Sequence, residues 1–301
     1  MEVIKQNVSR LVLGTAQLGM DYGIANTTGQ PDYNTARSIV KEAWESGICE
    51  FDTAQAYGQS ERVLGRILKD LGIADDIKVI TKFAPDIDHL DRIALNNALE
   101  MSLNNIGVEL LYGLMLHRED MIDLWEKGLG ENLMDIVSSG KVKHIGVSVY
   151  SPERAVQVLN TEGISMVQLP ANILDRRFEK TGAFELADEM GKTIYIRSIF
   201  LQGLVLLNKD QLPKNMKFAS TVIEELDIHA NRLRMSKTEL ALGYLKATKP
   251  NARILFGAET QQQVKINISI WEKHFRPDLF QELRHVFCSV DERILNPTLW
   301  L

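Results

Sequence analysis

The stretch FDTAQAYG, residues 51–58, marks the point where a buried strand opens into a loop. A short apolar run, residues 48–51, leads into Asp52, and Tyr57 follows five residues later before a glycine. A continuous apolar run is typical of a parallel strand that is buried on both faces. The sequence therefore predicts that a carboxylate and a phenol are presented together at the carboxyl end of one buried strand.

Seven more apolar runs of the same kind occur along the chain and alternate with amphipathic helical patterns. The eight predicted strands are residues 10–16, 49–53, 78–83, 110–117, 142–149, 166–171, 193–198 and 253–258. Apolar residues at helical spacing, with serine caps before them and glycines after them, predict helices between these strands. The predicted helices are residues 34–46, 60–71, 91–106, 120–139, 178–190, 236–247 and 260–271, and a shorter one that Ser151-Pro152 opens. Eight strand–helix units predict an α/β protein, a (β/α)8 TIM barrel that forms one domain over residues 1–301.

Three segments fall outside the eight repeated units. Residues 3–5 and 9–13 predict an N-terminal β-hairpin cap over the bottom of the barrel. Residues 201–226 follow the seventh strand and contain a glycine and a proline, so they predict a long loop with partial helix. Residues 277–301 predict an extra C-terminal helix and a tail.

The composition is that of an ordinary globular protein and disfavours several classes of function. The 301 residues are 45% apolar and 25% charged, and the net charge of −6 is spread without the basic face typical of nucleic-acid binding. The polar N-terminal segment does not predict a signal peptide, and no apolar run approaches the ~18 residues of a membrane span. We therefore expect a soluble cytoplasmic protein that binds neither nucleic acid nor membrane.

The two cysteines, Cys49 and Cys288, do not have the spacing of a metal site. Cys49 lies within an apolar strand pattern, which predicts a buried free thiol. No metal ligand set is predicted from the sequence.

Four chemically distinct side chains follow successive predicted strands: Asp52 and Tyr57 after the second, Lys82 after the third and His117 after the fourth. In a (β/α)8 barrel these strand ends form the active-site face. A lysine ammonium near a tyrosine favours the phenolate and lowers the pKa of the phenol, and a carboxylate holds the lysine charged. Each residue alone has a structural explanation, such as a helix cap or a packed aromatic. Their joint occurrence favours a proton-transfer site at a carbonyl group.

These motifs resemble the catalytic residues of the aldo-keto reductase family. The residues concerned are Asp52, the run Tyr57-Gly58-Gln59-Ser60-Glu61, Thr81-Lys82 and Leu116-His117, and the similarity extends from Leu13-Gly14-Thr15 to Asn267. The resemblance implies a barrel oxidoreductase that uses NADP(H) or NAD(H) without a metal. It further implies that Tyr57 is the general acid/base, Lys82 tunes its pKa, Asp52 anchors Lys82, and His117 orients the carbonyl.

The resemblance also implies a set of cofactor-binding residues, with one departure. Ser148 matches a family serine, but Val149 stands where an asparagine contacts the nicotinamide amide. Arg197 stands where many members have an aromatic ring over the nicotinamide, so it is expected to stack there or to contact phosphate. The implied cofactor contacts are Gly14, Thr15, Ala16, Ser148, Gln168, Arg197, Ser198, Leu201, Gln202, Gly203, Gly257, Ala258, Glu259, Thr260, Gln263 and Asn267.

The choice between the two nucleotides depends on the segment after the eighth strand. Many relatives that prefer NADP(H) have lysine or arginine there, whereas this chain has Gly257, Glu259 and Gln263. A carboxylate at Glu259 would repel a 2′-phosphate and accept a ribose hydroxyl. Lys265 is the one nearby cation that can offset this repulsion. The expectation is NADP(H), as the family default, by a narrow margin over NAD(H).

The substrate side is predicted from the long loop after the first strand. Met20, Asp21 and Tyr22 of this loop, with Phe83 and Arg118, are the candidate substrate contacts. The polar side chains of Asp21, Asn26 and Arg118 favour a hydroxylated small molecule such as a sugar aldehyde.

Three other functions are compatible with parts of the pattern. One is a cofactor-sensing binding subunit of the same fold with little turnover, which the short segment before the first strand disfavours. A second is a sugar dehydrogenase or epimerase that works in the oxidising direction. A third, a metal-dependent hydrolase, needs ligand clusters that His117 and Asp52 alone do not supply. The sequence leaves the substrate, the direction of reaction and the oligomeric state open.

Overall fold

The computed structural model describes residues 10–300, which contain a closed barrel of eight parallel strands in sequence order. The strands are β1 Leu11–Gly14, β2 Glu50–Asp52, β3 Lys78–Lys82, β4 Leu111–Leu116, β5 Val142–Ser148, β6 Met166–Pro170, β7 Thr193–Arg197 and β8 Arg253–Phe256. Each predicted strand is confirmed, and most are one to three residues shorter than predicted. The pairing of β1 with β8 closes the barrel, so all the carboxyl ends of the strands meet on one face.

Helices surround the barrel and cover the outer faces of its strands. They are α1 Ala16–Gly19, α2 Tyr33–Glu45, α3 Ser60–Leu71, α4 Arg92–Ile106, α5 Leu129–Ser138, α6 Pro152–Asn160, α7 Arg177–Lys180, α8 Ala183–Glu189, α9 Ser220–Leu233, α10 Lys237–Thr248, α11 Gln261–Glu272, α12 Gln281–Val286 and α13 Glu292–Leu295. A capping box begins α10, since Ser236 and Glu239 bond each other's backbone N–H groups. The predicted (β/α)8 architecture is confirmed.

Two of the predicted helices are each divided in two by a glycine. The helix predicted at residues 120–139 is a 3-10 helix, Glu119–Lys127, followed by α5, and Gly128 separates them with a φ of 113°. The helix predicted at residues 178–190 is α7 and α8, separated at Gly182 with a φ of 69°. Left-handed backbone ends an α-helix, and glycine adopts it without the steric cost of a side chain.

The two predicted insertions consist of several short turns. The segment after β7 has 3-10 helices Leu201–Leu206, Lys209–Gln211 and Lys214–Ala219 before α9, which agrees with a long loop and partial helix. The C-terminal segment has α12 and α13 between 3-10 turns Pro277–Phe280 and Pro297–Leu299, in place of one extra helix and a tail.

Three further predictions have different outcomes. Of the predicted β-hairpin cap, residues 3–5 lie outside the described residues, and Leu11 to Leu13 belong to β1. The extent of the single domain, residues 1–301, stays a prediction. The prediction that Cys49 is buried is wrong, because it precedes the first residue of β2 and its thiol is exposed.

The inside of the barrel is filled, so the space for a ligand lies at one end. Val12, Ile80, Met115, Met166 and Tyr195 form a separate buried cluster within the ring of strands. A filled barrel leaves its strand ends as the place where a site forms. No helix between residues 10 and 300 combines the length and apolar character needed to cross a membrane.

Candidate active site

A buried ion pair joins the ends of β2 and β3. The Nζ atom of Lys82 lies 2.6 Å from Oδ2 of Asp52 and donates a second hydrogen bond, 2.9 Å long, to the carbonyl oxygen of Thr53. Gln168 of β6 donates from Nε2 to the other carboxylate oxygen of Asp52, at 2.8 Å. Both members of the pair are almost fully buried, and burial lowers the pKa of Lys82 while Asp52 opposes that shift. The pair is stabilised because both carboxylate oxygens and the ammonium have partners.

Tyr57 and His117 lie directly beside this pair. The Nζ atom of Lys82 is 4.9 Å from the centroid of the Tyr57 ring, and the His117 ring packs edge-on against that ring with 5.5 Å between centroids. The four side chains predicted as the catalytic set are therefore together at the carboxyl ends of β2, β3 and β4.

Burial and nearby charge set the state of the Tyr57 phenol. Burial raises its pKa above the ordinary value, the Asp52 carboxylate raises it further, and the positive charge of Arg197 opposes both. The ammonium of Lys82 also bonds Asp52 and Thr53, and its expected lowering of the Tyr57 pKa stays a prediction. The phenol of Tyr57 is therefore protonated at neutral pH and available as a proton donor.

His117 is also neutral at neutral pH, through a pKa shift in the opposite direction. Burial, together with the positive charges of Lys82 and Arg197, lowers the pKa of its imidazole to about 3. Its Nδ1 atom is buried without a hydrogen-bond partner among the described residues. A neutral imidazole has one N–H to donate and one nitrogen to accept, which suits a hydrogen bond to a carbonyl oxygen.

The backbone of Tyr57 is fixed by close contact with the loop after β1. A Cβ atom on Gly19 would lie 2.0 Å from the carbonyl oxygen of Tyr57, and one on Gly58 would lie 2.4 Å from the carbonyl oxygen of Gly19. Gly58 also has a φ of 57°, and Gln59 donates its N–H to Gly19 at 3.1 Å. Only glycine at positions 19 and 58 allows the two loops to approach this closely.

The residues that follow Tyr57 connect three strand ends. The Ser60 hydroxyl bonds the backbone carbonyl of Thr15 at 2.7 Å and receives a hydrogen bond from Thr53 at 2.9 Å. The buried carboxylate of Glu61 accepts from the hydroxyl of Thr81 at 2.7 Å. The serine and glutamate in the recognised motif thus hold β1, β2 and β3 in register around the ion pair, a role that their sequence pattern alone did not predict.

A cavity of about 350 Å³ opens beside Tyr57 and extends across the ends of β1, β7 and β8. Twelve of the predicted cofactor-binding residues line it: Gly14, Thr15, Ala16, Gln168, Arg197, Ser198, Gln202, Gly203, Gly257, Glu259, Gln263 and Asn267. Ser148, Leu201 and Ala258 are buried outside its lining, and Thr260 caps α11 by accepting the N–H of Gln263. Sequence reasoning did not identify Leu206, Thr238 and Ile266, which line the cavity from elements distant in sequence.

Two loops meet above the cavity. The carbonyl oxygen of Gln202, in the loop after β7, accepts the N–H groups of Ile24 and Ala25, from the loop after β1, at 3.0 and 3.5 Å. Gln202 and Leu201 have φ values of 53° and 47°, in the left-handed region that non-glycine residues rarely adopt. At Gly203, a Cβ atom would lie 2.4 Å from that of Ala25. This contact between the two loops stabilises the strained backbone of Leu201 and Gln202.

Of the predicted substrate contacts, only Tyr22 lines the cavity. Burial raises the pKa of its phenol to about 12, and Tyr57 contributes to that shift because the two phenols are close. Met20 is 38% exposed on the surface, and Phe83 is fully buried against the ring of His89.

The polar side chains predicted to bind a hydroxylated substrate instead interact with residues of their own loops. Asp21 accepts the N–H of Gln30 at 2.7 Å, and Asn26 accepts that of Gly29 at 2.9 Å. Arg118 is exposed and pairs with Asp120. The argument from these residues for a sugar substrate is therefore not supported by their positions.

Arg197 is held at the inner end of the cavity by Tyr150, a residue that sequence reasoning missed. Its guanidinium lies 3.9 Å from the centroid of the Tyr150 ring and donates to the carbonyl of Val149 at 3.0 Å. Glu119 fixes Tyr150 in turn, since its carboxylate accepts the N–H groups of Tyr150 and Ser151 at 2.7 and 2.9 Å. The sequence signal for this contact was the acid two residues after His117.

The lining of the cavity also contains a carboxylate, and no lysine is part of the described lining. Glu259 supplies this carboxylate, and burial raises the pKa of its carboxyl group. Lys265, the cation expected to offset it, lies 3.6 Å from Glu42 of α2 and is not part of the lining. Across residues 10–300, no group of three or more histidine, cysteine or acidic side chains is arranged to hold a metal ion.

Comparison with known proteins identifies the family. A profile described as the Aldo/keto reductase family matches residues 10–287. The chain therefore belongs to the aldo/keto reductase family, whose members are NAD(P)H-dependent oxidoreductases of carbonyl substrates.

Individual relatives are distant. Aldo-keto reductase YhdN of Bacillus subtilis is 30% identical over 186 residues, which are 58% of this chain and 53% of the relative. L-glyceraldehyde 3-phosphate reductase of Escherichia coli is 26% identical over 268 residues, 77% of each chain. The structure of the glycerol dehydrogenase AKR11B4 from Gluconobacter oxydans covers 94% of each chain with a TM-score of 0.76 and 21% identity, which shows a shared fold.

The lowered pKa of His117 predicts a pH-dependent loss of stability. Above the ordinary histidine pKa of about 6.5 the imidazole is neutral in both folded and unfolded chains. As the pH falls below that value, the unfolded chain takes up a proton that the folded chain does not bind until the pH approaches 3. When the pH is lowered from about 7.5 to 5.5, the free energy of unfolding of the wild type should therefore fall by on the order of 1 kcal/mol more than that of His117→Gln. Solvent screens part of this difference.

Urea unfolding of both proteins at several pH values measures this difference. His274→Gln, which removes an exposed histidine, is the matched control and should keep the wild-type dependence. If the free energies of unfolding of wild type and His117→Gln differ by a constant amount over this pH range, His117 is not neutral as described.

Proposed function

We propose that this protein is an NAD(P)(H)-dependent oxidoreductase that transfers a hydride between a nicotinamide and a carbonyl or alcohol substrate, with Tyr57 as general acid/base. The observation that carries this proposal is that Asp52 and Tyr57 line one cavity, with Lys82 paired to Asp52 and His117 packed against Tyr57. The rest of that cavity is lined by residues that the family resemblance assigns to the cofactor. Family membership supports the same class of reaction.

The residues present suit a dinucleotide. Four glycines, Gly14, Gly23, Gly203 and Gly257, line the cavity, so part of its surface is backbone that a ligand's phosphates can contact. The loop from Ser198 to Gly203 would hold the pyrophosphate, and Gln168 and Arg197 would face the nicotinamide. When bound, the nicotinamide supplies or accepts the hydride at its C4 atom.

The protein's own groups handle the proton. In the reducing direction the protonated phenol of Tyr57 gives its proton to the carbonyl oxygen as negative charge develops there. The ammonium of Lys82, 4.9 Å from the ring, stabilises the phenolate that remains, and Asp52 keeps this ammonium charged and in place. Neutral His117 donates a hydrogen bond to the same oxygen and so orients the carbonyl.

The substrate class is proposed from the relatives, since Asp21, Asn26 and Arg118 do not line the cavity. Two of the relatives described above are named for L-glyceraldehyde 3-phosphate and for glycerol, both hydroxylated three-carbon compounds. We propose a small hydroxylated aldehyde, ketone or sugar, with the Tyr22 phenol as its polar contact.

Two alternatives use the same residues. A cofactor-sensing subunit with little turnover would bind nucleotide and fail to reduce a panel of small aldehydes and ketones. A sugar dehydrogenase or epimerase would turn over alcohols with the oxidised nucleotide faster than carbonyls with the reduced one. Steady-state assays in both directions separate these functions from a carbonyl reductase.

Tyr57→Phe should lower kcat for carbonyl reduction by at least about a hundredfold, the usual contribution of a general acid. The phenylalanine keeps the ring that packs on His117 and removes only the transferable proton. The dissociation constant for the reduced nucleotide, from quenching of protein fluorescence, should change little.

The control for this variant is Tyr33→Phe, which removes a phenol on the surface of α2 outside the cavity. It should keep wild-type turnover. Unchanged kcat in Tyr57→Phe would refute the assignment of Tyr57 as the acid.

The nucleotide preference depends on Glu259 because Lys265 is paired with Glu42. The sequence favoured NADP(H) as the family default, but with Lys265 engaged we propose that NAD(H) binds at least as tightly. Glu259→Gln should strengthen NADPH binding by roughly fivefold, which corresponds to about 1 kcal/mol of carboxylate–phosphate repulsion near water. NADH binding should not strengthen.

Fluorescence titration with NADPH and NADH measures both constants. Glu272→Gln, at the exposed last residue of helix α11, which follows Glu259, is the matched control for loss of one negative charge. Equal changes for both nucleotides in Glu259→Gln would show that Glu259 does not face the 2′ position.

A further inference from the structure

Arg197 carries a positive charge that no neighbouring carboxylate neutralises. Its guanidinium is half-buried, and its described hydrogen bonds go to the carbonyl of Val149 and the hydroxyl of Ser198, both uncharged. By contrast, the half-buried Arg177 pairs with Asp175 at 2.8 Å and with Glu292 at 3.1 Å. Among residues 10–300, no ion pair of Arg197 is formed. A half-buried cation without a counter-charge exerts its field on whatever occupies the cavity beside it.

That field acts on the reacting end of the cavity. Arg197 is the last residue of β7, paired in register with Pro170 of β6, so it lies at the same strand ends as Gln168 and Tyr57. Its charge opposes the upward shift of the Tyr57 pKa and adds to the downward shift of the His117 pKa. Arg197 is therefore within electrostatic range of both groups. The carboxylate of Glu259 lines the same cavity but forms no ion pair with Arg197.

The other cation of the site is already neutralised. Lys82 is paired with Asp52 at 2.6 Å, so these two charges largely cancel at a distance. Arg197 is therefore the uncompensated charge next to the position where hydride transfer must occur. A hydride can reach a carbonyl carbon only if the nicotinamide ring lies in contact with the substrate whose oxygen meets Tyr57.

We propose that Arg197 makes this site bind the reduced nicotinamide more tightly than the oxidised one and so favours carbonyl reduction over alcohol oxidation. The oxidised ring carries a positive charge and the reduced ring is neutral, so a fixed guanidinium penalises only the oxidised form. This inference rests on the proposed function and assigns carbonyl reduction as its favoured direction. Reduction also needs Tyr57 to be protonated, as it is in this site.

The test compares nucleotide affinities in Arg197→Met and Arg197→Lys. Wild type should bind NADH more tightly than NAD⁺, and NADPH more tightly than NADP⁺. Arg197→Met should reduce the ratio of the oxidised to the reduced dissociation constant at least about tenfold, because a fixed charge a few ångströms away disfavours a like charge even at an effective dielectric constant of about 20. Arg197→Lys keeps the charge and should keep most of the ratio. Dissociation constants from fluorescence and calorimetry provide the readout without any turnover.

Several outcomes would overturn this inference. Equal weakening of reduced and oxidised nucleotides in Arg197→Met would mean that Arg197 contacts phosphate or stacks without electrostatic selection. An unchanged ratio of the two dissociation constants would mean that the charge of Arg197 does not affect the nicotinamide ring. If Arg197→Met does not fold, as judged by circular dichroism, Arg197→Gln provides the neutral polar replacement and must show the same loss of ratio.

The failure of this inference can be told apart from failure of the proposed function. If the wild type binds neither form of either nucleotide, the oxidoreductase proposal itself is wrong. If it binds both forms and reduces carbonyls while the ratio is insensitive to residue 197, only the role of Arg197 is wrong.

Discussion

The buried pair of Lys82 and Asp52 is the constraint on which the rest of the site depends. A lysine with no exposed surface would lose its charge unless a partner held it, and here burial does lower the pKa of Lys82 while Asp52 opposes the shift. The pair connects the ends of β2 and β3, and the amide of Gln168 brings in β6 from across the barrel. Because these strands are fixed by the barrel, the ammonium is fixed beside the ring of Tyr57.

The same burial gives each neighbouring group a definite charge. The phenol of Tyr57 stays protonated, the imidazole of His117 stays neutral, and the charges of Lys82 and Asp52 offset each other. What remains is the positive field of Arg197 at the inner end of the cavity. A protonated acid, a neutral hydrogen-bond donor and an uncompensated cation together are suited to accepting a neutral carbonyl and a neutral reduced ring.

The fold and the four central residues could be predicted from sequence because their signals are local. Each buried strand is a continuous apolar run, and Asp52, Lys82 and His117 each end or follow such a run. The contacts that position Tyr57 could not be predicted, since the approach of Gly19 to Gly58 depends on how two loops pack. The same is true of Tyr150, whose place is set by Glu119 on a different loop.

Polar loop residues were the least predictable class. Asp21 and Asn26 looked available for a substrate in the sequence, but each satisfies backbone N–H groups of its own loop. Cys49 has apolar neighbours in sequence and still lies exposed, between the buried Ile48 and the buried first residue of β2. In both cases the local backbone conformation decides where the side chain points, and it leaves no periodic pattern in the sequence.

The central role proposed for Lys82 is to stabilise the phenolate of Tyr57, and a double-mutant cycle tests it most directly. The measurement is kcat for carbonyl reduction in Lys82→Met, in Tyr57→Phe and in the double variant, with nucleotide affinity and folding checked in each. The account predicts that the double variant is no slower than Tyr57→Phe alone, because without the phenol the ammonium has no phenolate to stabilise. Fully additive losses would contradict it, since Lys82 would then act on the reaction independently of Tyr57.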